Sequence, residues 1–432
     1  MPKPLAPLRI LHAPVNVAGQ AGDVVAALRR SGHDAQLWVR GVDAFGRDAD
    51  RFLDAPPDDE HATWRYIREA AERFDVVHFH FARTLVPHAS PGLPRFWDLP
   101  VYRALGLRVY FTFHGSDVRI GRVFAERNPW APQFQVSAAP DDDRIEKNLH
   151  VMRTYADRLF VASPNSLNYV PDAVYLPRVI DLAAWPAQPA AQRRVRPVVV
   201  HAPSRRGTKG TDGILGDLEA LRAEGLDFEL RLLEGVPHEQ VRKTLADADL
   251  LIDNTIGGSY GIVSLEALSL GKVAVSNMSP AMRAAHPTAP VVMVDPTTLR
   301  DTLRRLLRDV DERQALAERG RAFVEQDHDA DAVAATLVDF YTERLPERTR
   351  PAMPDWVSVE RFRRIERLEE RLDRVTVELE RTRLREHNLR AQLGKVPVGW
   401  QEQRQRLAGR AGVLARRVTP MPIRRLIRRL RA

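Results

Sequence analysis

Three groups of residues in this 432-residue sequence have the types and spacing to handle a phosphorylated ligand. The first runs from Gly257, Gly258, Ser259, Tyr260 and Gly261 through Ile262 to Glu266. A short apolar run, ADADLLID, precedes it and another, KVAVSN, follows it. The pattern reads as strand, glycine-rich turn, helix, strand. Glycines let backbone approach a ligand closely, and a helix start offers free N–H groups and a positive dipole end to an anion. Amides for a pyrophosphate and the Glu266 carboxylate for ribose hydroxyls suit a nucleotide. An ordinary strand–helix joint with a solvated glutamate has the same spacing, so this stretch does not decide by itself.

The second group is Arg205, Arg206 and Lys209 in SRRGTKG, directly after the apolar run PVVVHAP. Forked guanidinium groups and a point-charge ammonium at a strand's carboxyl end suit a diphosphate. A solvated basic turn is the plainer alternative. Glu266 in a neighbouring unit favours phosphate. The third group is His114, at the end of RVYFTF, with Asp117 three residues on. Ligands of parallel sheets bind at the carboxyl ends of strands, which puts His114 in a cleft. Asp117 reads as a second catalytic candidate or as a cap for the next turn. His78 and His80 alternate in DVVHFHF and share one face, but no third ligand stands at metal-binding spacing. Gly19 and Gly22, in GQAG, sit in the first strand-to-helix turn. They lack the G-x-G-x-x-G spacing and read as a turn lining the cleft or as a tight turn only.

The elements that must position these groups alternate. LRILHAP, AQLWVRG, DVVHFHF, RVYFTFHGSD and DRLFVAS read as strands, with helices expected around 62–73, 96–105 and 144–156. Residues 164–196 are rich in proline and alanine and read as a linker. The pattern resumes with PVVVHAP, a helix capped near Thr211 or Asp212, DFELRLLEGVP, a helix over 238–247, DLLIDN, KVAVSN and VVMV. Helices are expected over 296–308, 310–325 and 328–345. Near-continuous apolar strands alternating with helices indicate an α/β fold of two Rossmann-like, doubly wound domains facing a cleft. The expected division is 1–180 and 195–350, then a coiled-coil helix over 355–394 and a basic amphipathic tail over 395–432.

The opening stretch resembles the signature of retaining GT-B glycosyltransferases of family 4 (glycosyltransferase group 1). Gly261, Ile262, Glu266, Ala267 and Gly271 match its G-[LIV]-x-x-x-E-A-x-x-x-G core. The first of the signature's two glutamates is absent, and Gly258 stands in its place. The resemblance implies that Glu266 contacts the ribose, that the basic turn takes the diphosphate, and that the turn at Glu234 abuts the base. It also implies that His114 lies near the transferred sugar and that the glycine-rich loop at Gly19 and Gly22 lines the cleft. Arg178 replaces the usual asparagine in YLPRVIDLAAW, which is similar to the segment leading into the family's second domain. The last helix over 328–345 resembles the one that packs back toward the first half. Retention of configuration, no cofactor and no metal follow from the same resemblance.

Composition bounds what remains. The hydrophobic fraction of 44% is that of a globular protein, and there is no cysteine. No stretch of about 18 apolar residues stands out as a membrane span, and the start lacks the pattern of a signal peptide. The expected location is cytoplasmic, peripheral at the inner face of the membrane. Net charge is +8, but Lys395 to Ala432 holds eleven Lys/Arg and one Glu, a balance of +10, which leaves about −2 for the body. That distribution argues against a specific nucleic-acid binder. Ile365, Leu368, Leu372, Val375 and Leu379 form a short heptad seam that suits a homodimer. PIRRLIRRLRA suits an anionic membrane surface. The expected activity is transfer of a sugar from a nucleotide-diphosphate sugar to a hydroxyl of a cell-envelope or lipid-linked glycan. A GT-B epimerase and an inactive scaffold of an envelope complex are the alternatives.

Overall fold

The computed structural model describes residues 6–41, 48–54, 56, 59–86, 95–136, 141–186, 194–343 and, farther on, 371, 374–383, 385 and 386. The first sheet has seven parallel strands: β1 Arg9–Ala13, β2 Asp34–Arg40, β3 Arg51–Leu53, β4 Val76–His80, β5 Arg108–Phe113, β6 Arg158–Val161 and β7 Val174–Tyr175. Their order is β3-β2-β1-β4-β5-β6-β7. The second has five: β8 Val198–His201, β9 Glu229–Leu232, β10 Leu250–Asn254, β11 Val273–Ser276 and β12 Val292–Met293. Their order is β12-β11-β10-β8-β9, also parallel. Strands β1, β4, β5, β8, β10 and β11 are buried on both faces, which is why each reads as an unbroken apolar run. The architecture is the expected α/β pair of Rossmann-like sheets.

Strand order reverses between β1 and β4 in the first sheet and between β8 and β10 in the second. At such a switch point the two following connections diverge and open a crevice at the strands' carboxyl ends. In the second sheet those connections are the basic turn after His201 and the glycine turn after Asn254. Arg205, Arg206, Lys209, Gly257, Gly258 and Gly261 lie on these two connections.

The described residues 164–186 of the segment read as a linker pack into both halves. Val179 and Ile180 are buried, and Trp185 packs in the second core. Ile180 pairs with Asp329: its N–H donates to the His328 carbonyl at 2.7 Å, and its carbonyl accepts from Ala330 N–H at 3.1 Å. The two crossings between sheets thus run side by side. Helix Ala330–Thr342 then lies on the first sheet, burying Val333, Ala334, Leu337 and Tyr341 against Ile10, Val24, Val25 and Leu28.

Residues 374–383 are helical, with Val375, Val377 and Leu379 exposed. The other seam positions and the basic tail at 395–432 lie outside the described residues. Among the described residues, no helix is long and apolar enough to cross a membrane.

Asp98 is fully buried at the start of helix Leu99–Ala104. Burial pushes its carboxyl up to about 6, against the pull of the Thr84 and Tyr102 hydroxyls. An acid raised in the folded state loses stability as pH climbs from its unfolded value of about 3.9 through the folded one. We expect Asp98→Asn to be more stable than wild type by roughly 2–3 kcal/mol above pH 7, and no more stable at pH 4. Urea titrations at the two pH values check this.

Candidate active site

The centre of the second-domain site is Asp253, near the end of β10. The residue is 2% exposed, and its carboxylate is bonded to Lys209 Nζ, to the Gly261 N–H and to the Ser264 hydroxyl, the last at 2.8 Å. Burial alone would raise this carboxyl, but the Lys209 charge and these donors hold it below the usual carboxylate range. Lys209 therefore reaches the glycine turn by way of a buried acid. A Cβ on Gly261 would meet Asp253 Oδ2 at 3.0 Å and Lys209 Nζ at 3.3 Å, so this close approach needs glycine.

The two arginines of the basic turn differ. Arg206 is held by Glu234 at 3.0 Å and by Asp212 at 2.7 Å. Arg205 is exposed and makes no ion pair or side-chain hydrogen bond among the described residues. Glu234 is thus committed to Arg206. Beyond Gly261 starts helix Ile262–Ser269, and the N–H groups of Ile262 and Val263 in its first turn have no intrahelical acceptor. One turn on, Glu266 is buried, with Oε1 at 2.6 Å from His238 Nε2. The basic turn, the first-turn amides and Glu266 all belong to the β8–β10 switch point.

Two candidate side chains are engaged within the fold. The Tyr260 side chain points into the core: it is fully buried and its hydroxyl lies 3.0 Å from His328 Nε2. Tyr260 faces the cleft side only through its carbonyl, which accepts from Arg178 Nη1 at 3.0 Å. Asp117 is turned toward its own backbone, where it accepts from the Gly115 N–H at 2.8 Å and the His114 N–H at 3.1 Å. That makes it the cap of the His114 turn. Gly19 has a φ of 84° at the start of helix Gln20–Arg30, whereas Gly22 lies inside the helix, its N–H bonded to Asn16 Oδ1 at 3.1 Å. Gln20 joins this turn to the crossing segment through paired bonds with Val179 at 2.8 and 2.9 Å.

Gly258 has a φ of 73°, and a Cβ there would lie 3.3 Å from Asn165 Nδ2. Its N–H donates to Asn277 Oδ1 at 2.9 Å and its carbonyl accepts from Asn165 Nδ2 at 2.8 Å. The position that an acid occupies in the resembling signature is built here for glycine. Beside it, Arg178 donates from Nη1 to the Ser259 hydroxyl at 3.1 Å and to the Tyr260 carbonyl. No carboxylate pairs with Arg178 among the described residues. It is close enough to His114 that its charge, after burial and His80, helps hold that imidazole well below its usual range. In the sequence Arg178 stands out only as the residue that replaces an asparagine in YLPRVIDLAAW. For Asp253 the sequence carries one cue, an acid ending an apolar strand, and for His238 it carries none.

The first domain reaches the second across the crevice. Asn128 Nδ2 donates to the Ile256 carbonyl at 2.8 Å, and the Gln135 N–H donates to the Gly207 carbonyl at 2.9 Å. These contacts lie next to the glycine turn and the basic turn. Among the described residues, no group of three or more His, Asp or Glu side chains is arranged to hold a metal ion.

Residues 193–339 match a family model described as "Glycosyl transferase-like". No curated protein matches the chain. Among solved structures, the catalytic domain of starch synthase IV from Arabidopsis thaliana, bound to ADP and acarbose, superposes with a TM-score of 0.54. It has 14% identity over 78% of this chain and 99% of that one. WaaG, a glycosyltransferase involved in lipopolysaccharide biosynthesis, gives a TM-score of 0.51 at 14% identity over 77% and 99%. An alpha-glucosyltransferase in complex with UDP and a 13-mer DNA gives 0.50 at 12% identity over 78% and 100%.

Proposed function

We propose that this chain is a GT-B glycosyltransferase of group 1 and that it moves a sugar from a nucleotide-diphosphate sugar to a hydroxyl acceptor with retention and without a metal. What carries the reading is the β8–β10 switch point, where Arg205, a guanidinium with no partner among the described residues, shares a crevice with first-turn amides and a buried glutamate. Arg205 and the N–H groups of Ile262 and Val263 take the diphosphate. Lys209, already neutralising Asp253, turns its remaining donors to the same anion. Glu266 keeps one oxygen on His238 and offers the other to ribose hydroxyls. Arg206 and Glu234, paired, form the wall beside the base.

The leaving diphosphate gains charge as the glycosidic bond breaks. Fixed donors aimed at that charge lower the barrier most in a crevice that excludes water. His114 lies on the first-domain side, under the sugar. We further propose that the acceptor is a cell-envelope or lipid-linked glycan, with the 395–432 segment on an anionic membrane surface and a homodimer formed through 356–393. Deleting 395–432 would then reduce recovery in the membrane fraction, and unchanged recovery rejects that part.

Two measurements test the core reading. Calorimetry with UDP, ADP and GDP is expected to show binding of at least one by the wild type. A donor screen with mixed envelope acceptors is expected to release free nucleotide only when an acceptor is present. Absence of any nucleoside diphosphate binding overturns the reading and leaves a scaffold. Conversion of the donor sugar with no acceptor dependence points to an epimerase.

A further inference from the structure

The first sheet contains a chain of buried rings that the transfer reading does not use. Thr112 Oγ1 lies 2.7 Å from His78 Nε2, and His78 Nδ1 lies 2.5 Å from the Tyr341 hydroxyl. That hydroxyl is 3.4 Å from His12 Nε2, the longest link. His12 Nδ1 is 2.9 Å from His80 Nε2, and His80 Nδ1 is 3.1 Å from His114 Nε2. The His78 and His80 rings stack at 5.0 Å, and His12 stacks on His78 at 4.8 Å. His12, His78 and His80 are buried, and desolvation pushes all three down, His80 to about 3. Each is therefore neutral, with one N–H and one bare nitrogen.

A chain of neutral imidazoles can run in one of two directions, because each donor must meet an acceptor. In one, every proton points away from the cleft and Thr112 is the final acceptor, so its own hydroxyl proton needs a further partner. Among the described residues Thr112 has none, and the side chain is buried. In the other, Thr112 donates to His78, His78 to Tyr341, Tyr341 to His12, His12 to His80 and His80 to His114. Every buried donor is then used, and only the second direction leaves no buried polar hydrogen orphaned.

From this we infer that the Thr112–His78–Tyr341–His12–His80 chain positions His114 as a neutral hydrogen-bond donor, with its proton on Nδ1 facing the cleft. His114 then offers a hydrogen bond to an oxygen of the ligand and cannot accept a proton from it. His80, His12 and Tyr341 are positioning residues. Tyr341 stands on helix Ala330–Thr342, which follows the return crossing from the second domain, so docking of that helix completes the chain. The tautomer assignment stands without the transferase reading. Only the identity of the accepted oxygen, on the donor sugar or its diphosphate, rests on it.

The test uses full-length protein with 15N-labelled histidine and needs no substrate. Two-bond proton–nitrogen correlation spectra distinguish Nδ1–H from Nε2–H rings, and loss of one ring's signals in His114→Asn assigns His114. We expect Nδ1–H tautomers for His12, His78, His80 and His114 in the wild type, unchanged between pH 6 and 8. Tyr341→Phe, which removes one oxygen, and Thr112→Val, which keeps the volume, are expected to give mixed tautomers at His114 while thermal unfolding stays cooperative. An Nε2–H ring at His114 in the wild type overturns the inference. So does an unaltered Nδ1–H ring at His114 in both folded variants. If the spectra agree but no nucleotide binds, the transferase reading fails and the positioning chain stands.

Discussion

Replacing Lys209 with alanine is expected to lower the unfolding free energy by about 3–5 kcal/mol and to remove detectable nucleoside diphosphate binding. Both effects have one cause. Lys209 is the partner that lets Asp253 remain ionised at 2% exposure. Without it, the Gly261 amide and the Ser264 hydroxyl are left to hold a buried carboxylate alone. The pH dependence separates this from generic loss of packing. The folded-state pKa of Asp253 lies below its ordinary value, so the pair's contribution is present above about pH 4 and is lost as pH falls through the folded value. In Lys209→Ala burial, which raises the group, is opposed only by the Gly261 amide and the Ser264 hydroxyl. That variant is then expected to lose stability as pH rises above about 4, the opposite slope. Urea unfolding of both proteins from pH 3.5 to 7 reads the difference. The double variant Lys209→Met, Asp253→Asn removes both charges and keeps an acceptor for the Gly261 amide. It is expected to recover most of the stability and none of the affinity. Lys209→Ala with wild-type stability and wild-type slope contradicts the buried-pair account. Restored affinity in the double variant contradicts a phosphate role for Lys209.

What the sequence made legible follows from how each element is buried. The central strands are covered on both faces and appear as apolar runs such as RVYFTF and DLLID. Edge strands β3 and β7 hold three and two residues, too short to leave a pattern. The proline- and alanine-rich segment reads as linker by composition. Around Ile180 it is instead held by pairing beside Asp329, a contact between distant stretches. In the site, Arg205, Arg206, Lys209 and Glu266 are visible from residue type and from their place after strands. Their partners are not: Lys209–Asp253, Arg206–Glu234 and His238–Glu266 span 44, 28 and 28 residues. The difference matters, because pairing is what separates the free Arg205 from the committed Arg206. The alternation of His78 and His80 is visible as a shared face. That Tyr341, 263 residues away, completes the hydrogen bonding of His78 is a property of the docked helix.

The second large effect is expected at Arg178. Arg178→Ala is expected to reduce turnover by about 10²–10³-fold with little change in KM for the donor, as loss of one preorganised donor to developing charge does. The argument begins at Gly258. A residue with a side chain in that left-handed conformation costs roughly 1–2 kcal/mol, and its Cβ would crowd Asn165. Gly258→Glu is therefore expected to destabilise the turn and bring no gain in rate. In place of an acid, the Gly258 turn has beside it a guanidinium anchored through Nη1 to Ser259 and Tyr260. Its Nε and Nη2 have no partner among the described residues, so they are free for oxygens that gain charge as the bond to the sugar breaks. Arg178 and a His114 that donates from Nδ1 would then act on the same ligand from two sides. Both are donors, and neither is a base. Arg178→Lys keeps the charge but loses the planar fork, and is expected to restore only part of the rate. Steady-state kinetics with the donor found by screening decide it. Wild-type turnover in Arg178→Ala shows that the guanidinium only fastens the crossing segment to the glycine turn. A tenfold or larger gain in rate from Gly258→Glu shows that the site lacks an acid and has no substitute for it.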